Sequence, residues 1–194
     1  VGLNGSGHSP RALTLDIQRQ RAVDGHIWKY GATSISVPGA VDGWWTLHQK
    51  YGRLPWKELF QPAIGLCENG APMVQTIGYA MARNMALFLN PDARIEETAN
   101  AQQTYMPGGA TPKEGQIFRN PDLGRTLSLV AEGGRDAFYQ GEIADAIERY
   151  FKRIGGFMTK ADLAAHHSEW VKPETINYRG VDVWGLPPNS QGVV

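Results

Sequence analysis

The sequence has a single cysteine, Cys67, in 194 residues, so no disulfide can form within the chain and cysteine usage leaves the redox compartment open. It has no excess of either charge: Lys+Arg and Asp+Glu each total 19. That balance argues against a nucleic acid or an acidic membrane held by bulk charge. No stretch has the pattern of a signal peptide or of a membrane span, because the apolar runs are short and interrupted. No His, Cys, Asp and Glu cluster has metal-ligand spacing. His166 and His167 are adjacent and point to different sides of whatever element holds them, a structural or solvated pair rather than ligands. A phosphate-loop lysine motif and a G-x-S-x-G turn are both missing. Gly5-Ser6-Gly7 resembles part of a dinucleotide fingerprint, but nothing strand-like precedes it and the third glycine is lacking, so it reads as a Gly-rich turn. Neither a cofactor nor a metal is expected.

What is present is a globular balance, 42% hydrophobic and 20% charged. Residues 1–39 are turn-rich, with Pro10 as a helix start for 10–18 and a short strand at 34–37 before Pro38-Gly39. Trp56, Leu59, Phe60, Ala63, Ile64 and Cys67 fall on one stripe of a helix that Asn69-Gly70 stops. This stripe is expected to be buried against helices at 74–89 and 141–154, which makes Cys67 a core thiol. Ile77, Met81, Met85 and Phe88 mark a second helix, ended by Asn90-Pro91. Asn120-Pro121-Asp122 caps a third, which carries Leu123, Leu127 and Val130. Ile143, Ile147, Phe151 and Ile154 form a fourth, closed by Gly155-Gly156, and Thr159 with Asp162 opens a short helix over 160–166 through a capping box. Residues 169–177 and 181–186 read as a β-hairpin about Tyr178-Arg179-Gly180. Residues 100–116 read as an exposed excursion, and the Trp44-Trp45 pair with Trp56 as core. No internal domain boundary stands out. Both ends, Val1 in a Gly-rich loop and Gly192-Val193-Val194 at the start of an apolar segment, read as cuts through a larger protein.

Three collinear stretches carry a resemblance. The first is Val37-Pro38-Gly39-Ala40-Val41-Asp42-Gly43-Trp44 with Tyr51-Gly52-Arg53-Leu54-Pro55-Trp56 and Gln61-Pro62-Ala63-Ile64. The second runs from Asn120-Pro121-Asp122-Leu123 through Ala131-Glu132-Gly133-Gly134 to Phe138-Tyr139-Gln140-Gly141. The third joins Gly155-Gly156, Thr159-Lys160-Ala161-Asp162-Leu163-Ala164, Tyr178-Arg179-Gly180 and Pro187-Pro188-Asn189-Ser190-Gln191-Gly192. Together they resemble the middle and later part of the large subunit of the gamma-glutamyltransferase family of N-terminal-nucleophile hydrolases.

The resemblance implies an α+β fold: part of an αββα sandwich, mostly helical over residues 1–194 with a late hairpin. It implies a precursor that cleaves itself into two subunits, with a small subunit from the same precursor as partner. The new N-terminal Thr would be the nucleophile and its own α-amine the base. That Thr would follow Val194, so no catalytic residue is expected within the segment; Thr14, Thr33, Thr46, Thr76 and Thr159 do not occupy its place. The implied activity is transfer or hydrolysis of a gamma-glutamyl or related acyl group from a small-molecule donor. A cephalosporin-acylase-type amidase, or a relative that does not process itself and serves as a binding protein, is the alternative. One departure bears on the donor. The family's Arg in an R-E-x-A-P stretch, which grips the donor's α-carboxylate, is replaced by Ser6 in Ser6-Gly7-His8-Ser9-Pro10. A neutral Ser cannot replace a charge-assisted pair worth about 1.5–3 kcal/mol. His8 is the nearest substitute, offering one ionic hydrogen bond when protonated, or else it is a turn residue with no ligand. Ser6 and His8 are thus the candidate substrate-binding residues. Gln191, in place of a Gly, alters the loop near the other end.

Overall fold

A helix that starts with a side-chain cap and a proline is fixed at its first residue, and the helix that follows Asn120 starts so. The computed structural model describes residues 1–189; Ser190, Gln191 and Gly192 of the third stretch lie outside the described residues. The elements in order are β1 (Gly2–Asn4), α1 (Leu15–Arg21), α2 (Ala40–Tyr51), α3 (Trp56–Asn69), β2 (Ala71–Pro72) and α4 (Gln75–Phe88). There follow α5 (Ala99–Tyr105), β3 (Ile117–Phe118), α6 (Pro121–Tyr139), α7 (Glu142–Arg153), α8 (Lys160–Ala164), β4 (Glu169–Val171), β5 (Glu174–Tyr178) and β6 (Val181–Gly185). In α6 the Asn120 side chain accepts from the Leu123 amide at 3.0 Å, with Pro121 at the first helical position. The helix is broken internally at Gly134, whose φ of 63° and ψ of −152° leave the helical region. A Cβ there would lie 2.8 Å from the Trp45 ring, so both the dihedrals and the close approach require glycine. Trp56 donates its indole N–H to the Val130 carbonyl at 2.8 Å, the acceptor that a regular helix would give to residue 134.

The core is α3 laid on α6. Phe60, Ile64, Val130 and Ala131 are buried there and continue into Tyr139, Ala144, Phe151 and Leu163. This corrects the expected partner of the α3 stripe, which is α6 rather than the helices at 74–89 and 141–154. The stripe is also narrower than its spacing implies. Leu59 is 47% exposed, Ala63 is exposed and Cys67 is half-buried. One neighbouring helix covers only part of a stripe of this width. The uncovered part forms, with Trp44, Leu47 and Tyr51 of α2, an apolar groove of about 640 Å³. Trp45 packs edge-on against Trp56 at 5.0 Å, whereas Trp44 is 49% exposed.

Other differences are local. The first helix starts at Leu15, because the Thr14 hydroxyl caps the Ile17 amide at 3.3 Å while Pro10 closes a turn with Leu13. Residues 34–37 form no strand; Val37 bonds instead to the His8 carbonyl at 2.9 Å. Helix α2 has no counterpart among the sequence expectations. The expected hairpin is two units. Residues 169–171 pair with β1 (Gly2↔Val171, Asn4↔Glu169), and β5–β6 alone forms the hairpin (Ile176↔Val183, Tyr178↔Val181), Pro173 separating them. Arg179 and Gly180, both at positive φ, make its two-residue turn. The capping box at Thr159 and Asp162 forms as expected. Among the described residues no helix is long and apolar enough to cross a membrane.

Since Ile64 is 8% exposed and Leu59 47%, Ile64→Ala should destabilise the protein by about 2–5 kcal/mol. Leu59→Ala should stay within about 0.5 kcal/mol in the segment by itself. Urea denaturation reads both, and equal effects would refute this division of the stripe.

Candidate functional site

The region around Ser6 and His8 rests on a buried ion pair. Asp42, on the first turn of α2, is 2% exposed and engaged on both oxygens. Arg135 donates Nε to Oδ1, and the Ser168 amide donates to Oδ2 at 2.5 Å. The Gly134 break places Arg135 to do this, and its other nitrogens reach the His166 carbonyl and, at 3.1 Å, Asp136 Oδ1. Its guanidinium also lies over the Tyr139 ring, 4.8 Å from the centroid. Tyr139, fully buried, donates its hydroxyl to the Pro38 carbonyl at 2.7 Å and accepts from the Asp42 amide at 3.1 Å. Burial pushes the Asp42 carboxyl up, but the bonds from Ser168 and Arg135 outweigh it and hold the group below the usual carboxylate range. Burial pushes the Tyr139 phenol up to about 12.

Two loops lie over this pair, pressed backbone to backbone. A Cβ on Gly39 would stand 1.7 Å from the Gly5 carbonyl oxygen, and one on Gly7 would stand 1.7 Å from that of Val37. The loop that carries Ser6 and His8 is anchored at both ends. The β1–β4 ladder holds Gly2–Asn4, and the Arg11 amide donates to Asp162 Oδ1 at 3.1 Å. Between the anchors, Asn4 Oδ1 accepts from the Ser6 amide at 3.0 Å, and Asn4 Nδ2 donates to Asn189 Oδ1 at 3.1 Å. The start of this loop therefore lies against Asn189, and both candidate side chains on it are exposed. Of the adjacent histidines, His166 is buried and His167 exposed. Burial, with Arg135, His167 and His8 nearby, lowers the His166 pKa against the pull of Asp42. Among the described residues no group of three or more His, Cys, Asp or Glu could hold a metal.

Asp42, Arg135 and Tyr139 stand in the stretches that carry the resemblance, yet spacing gave them no role. A lone Asp in Val37–Trp44, an otherwise apolar and glycine-rich run, was the available signal.

The segment is α+β and mostly helical, with an ion pair buried beneath a glycine-rich loop and an open apolar groove beside it. The chain belongs to the gamma-glutamyltranspeptidase family, whose model matches residues 1–194. It is 34% identical over 190 residues to a glutathione hydrolase-like YwrD proenzyme of Bacillus subtilis, covering 97% of this chain and 34% of that protein. It is similar to a cephalosporin acylase structure from Bacillus halodurans, with a TM-score of 0.87 and 35% identity over 97% of this chain and 35% of that one. It is likewise similar to the Helicobacter pylori gamma-glutamyltranspeptidase structure, with a TM-score of 0.85 and 29% identity over 98% and 53%. The chain spans about a third of the length of the curated relatives it matches.

The ion pair sets a test. Arg135→Ala leaves Asp42 buried without its cation and should destabilise by about 3–5 kcal/mol in urea. Stability should also fall in acid in two stages. The lowered His166 pKa means that the unfolded chain takes the proton first, so stability begins to drop below about pH 6.5. Asp42 and Asp162, also lowered, stabilise fully above their unfolded value near pH 4 and lose that contribution as pH falls through their folded values. A urea midpoint that stays flat from pH 7 to pH 4 would refute the first stage.

Proposed function

We propose that the protein containing this segment transfers an acyl group from an amide donor to water or an amine, as a self-processing enzyme with a Thr nucleophile. The observation that carries the reading is the family match over the whole segment, at TM-scores of 0.83–0.87 to solved family members and an acylase. A Thr after Val194, freed by cleavage, attacks the donor's carbonyl through its hydroxyl oxygen while its α-amine takes the proton. The amine of the donor leaves with a proton, and water or a second amine then releases the acyl group from the ester. Residues 1–194 serve as a partial large-subunit segment, placing the loop of Ser6 and His8 beside the donor.

A donor other than gamma-glutamyl, of the cephalosporin-acylase kind, is favoured by one observation: Ser6 brings no charge to the loop. The anion-binding group left on the loop is His8, exposed and able to form one ionic hydrogen bond when protonated.

The small subunit from the same precursor is the partner, and the hairpin is the surface offered to it. Ile176, Tyr178, Val181 and Val183 share one face of β5–β6 and are 50–69% exposed. Such a face with open strand edges binds or aggregates. The 194-residue segment alone should therefore associate in analytical ultracentrifugation, and Ile176→Lys with Val183→Lys should suppress it; a monodisperse unmodified monomer would count against this surface.

Mass spectrometry of the expressed precursor tests the enzyme reading: two subunits, the smaller beginning with Thr, are expected, and a single uncleaved chain would favour a non-catalytic relative. With the processed enzyme, Ser6→Arg should raise kcat/KM for gamma-glutamyl-p-nitroanilide by up to ~10–100-fold and leave a donor without the α-carboxylate unchanged. Strong discrimination for the carboxylate by the unmodified enzyme would show that another cation already binds it.

A further inference from the structure

The histidine beneath the loop has no evident bonding role, and its position suggests one. His166 is 2% exposed, yet neither ring nitrogen has a hydrogen-bond partner among the described residues. Unpaired buried polar atoms are costly and uncommon, so two buried ring nitrogens without partners call for a reason. The segment that carries the ring is held from below: Arg135 binds the His166 carbonyl, Asp42 binds the Ser168 amide, and the imidazole stacks on Tyr139 at 5.5 Å. The ring and the Ser168 hydroxyl also face the glycine contact above. A Cβ at Gly39 would be 2.9 Å from His166 Nε2 and 1.7 Å from the Gly5 carbonyl oxygen, and a Cβ at Gly5 would be 3.3 Å from Ser168 Oγ. The ring thus abuts the point where the Gly39 turn meets the loop, one residue before Ser6.

We propose that His166 is a positioning residue for the loop Gly5–His8. Its neutral ring sets the height of the Gly5–Gly39 contact, and through it the placement of Ser6 and His8 toward the donor. This rests on the reading that the loop lies beside the donor. The charged and titratable groups around the ring explain why it must be neutral. Arg135 from α6, His167 from the same segment and His8 from the loop all disfavour a proton. Asp42 from α2 is the one facing anion among these, and Arg135 and Ser168 already occupy both its oxygens. Tyr139 from α6 stays uncharged to about pH 12. A proton on His166 would be unbalanced in a tight space and would push the two loops apart.

The test uses the intact processed protein. His166→Phe keeps the ring stack and volume but removes both nitrogens. Hydrogen exchange of the peptide covering residues 4–9 should quicken at pH 7.5 in this variant. In the unmodified protein, after correction for intrinsic rates, the same quickening should appear only in acid, at a pH below the ordinary histidine value, because the buried ring's pKa is lowered. That pH step should vanish in His166→Phe and persist in His8→Asn, which excludes the loop's own histidine. KM for a donor with a free carboxylate should rise about 10-fold with kcat nearly unchanged, a split that a general loss of fold would not give. Unaltered exchange in His166→Phe, or a step that disappears in His8→Asn instead, overturns the proposal. If His166→Phe does not fold, the pH step in the unmodified protein and in His8→Asn still decides. Exchange behaving as expected without turnover of any acyl donor would support the positioning role and sink the donor reading.

Discussion

The contact between Asp42 and Arg135 is the constraint on which this segment turns. It joins residues 93 apart in sequence, one on the first turn of α2 and the other just beyond the break in α6. Taking both charges out of water is expensive, and the pair is tolerable only because the remaining donors and acceptors are met. Ser168 supplies the second bond to the carboxylate, and the His166 carbonyl and Asp136 take further guanidinium protons. Once that set is satisfied, α2, α6 and the segment after α8 have one relative placement. A hydrophobic replacement would pack as well but would not hold the 166–168 backbone by name, because apolar contacts are non-directional.

The glycines follow from this placement. Gly134 lets the α6 backbone turn beside the Trp45 ring so that the next residue points at Asp42. Gly39 lets the start of α2 meet the Gly5 carbonyl with no side chain between. The candidate site is therefore built from backbone held in place, with the side chains of Ser6 and His8 standing free on top.

Much of the helical layer was legible because its signals are local. The Asn120-Pro121-Asp122 start, the Gly70 stop and the Thr159–Asp162 box each depend on atoms within a few residues, and all three formed. What was not legible depends on distant partners. The spacing of Trp56 to Cys67 shows a stripe but cannot say that α6 covers it, nor that Leu59 is left outside. Helix α2 was hidden because glycine and paired tryptophans blur its period. The β1–β4 ladder joins residues about 165 apart and consists of three pairs, too short to leave an alternating pattern. At the site, Ser6 and His8 were found through a resemblance to the family motif, and the structure places them on one loop. His166 was read only as one of an adjacent pair, since burial without a partner is a property of the fold and not of the local sequence.

The charge at the loop separates two ways of recognising an anion. A guanidinium is cationic at every working pH and offers a planar fork, so a loop built around it can sit over a dry, fixed pocket. An imidazole offers an anion one hydrogen bond in one direction. A loop that depends on it gains selectivity only if its backbone is held where that single bond can form. On the proposed reading, that requirement accounts for the anchors along this stretch: the β1–β4 ladder and the Asn4 side chain before it, the Val37 amide on the His8 carbonyl, and Asp162 on the Arg11 amide after it. On the same reading, the lack of a charge at Ser6 and the anchoring of the loop around it are two sides of one arrangement, in which position substitutes for charge.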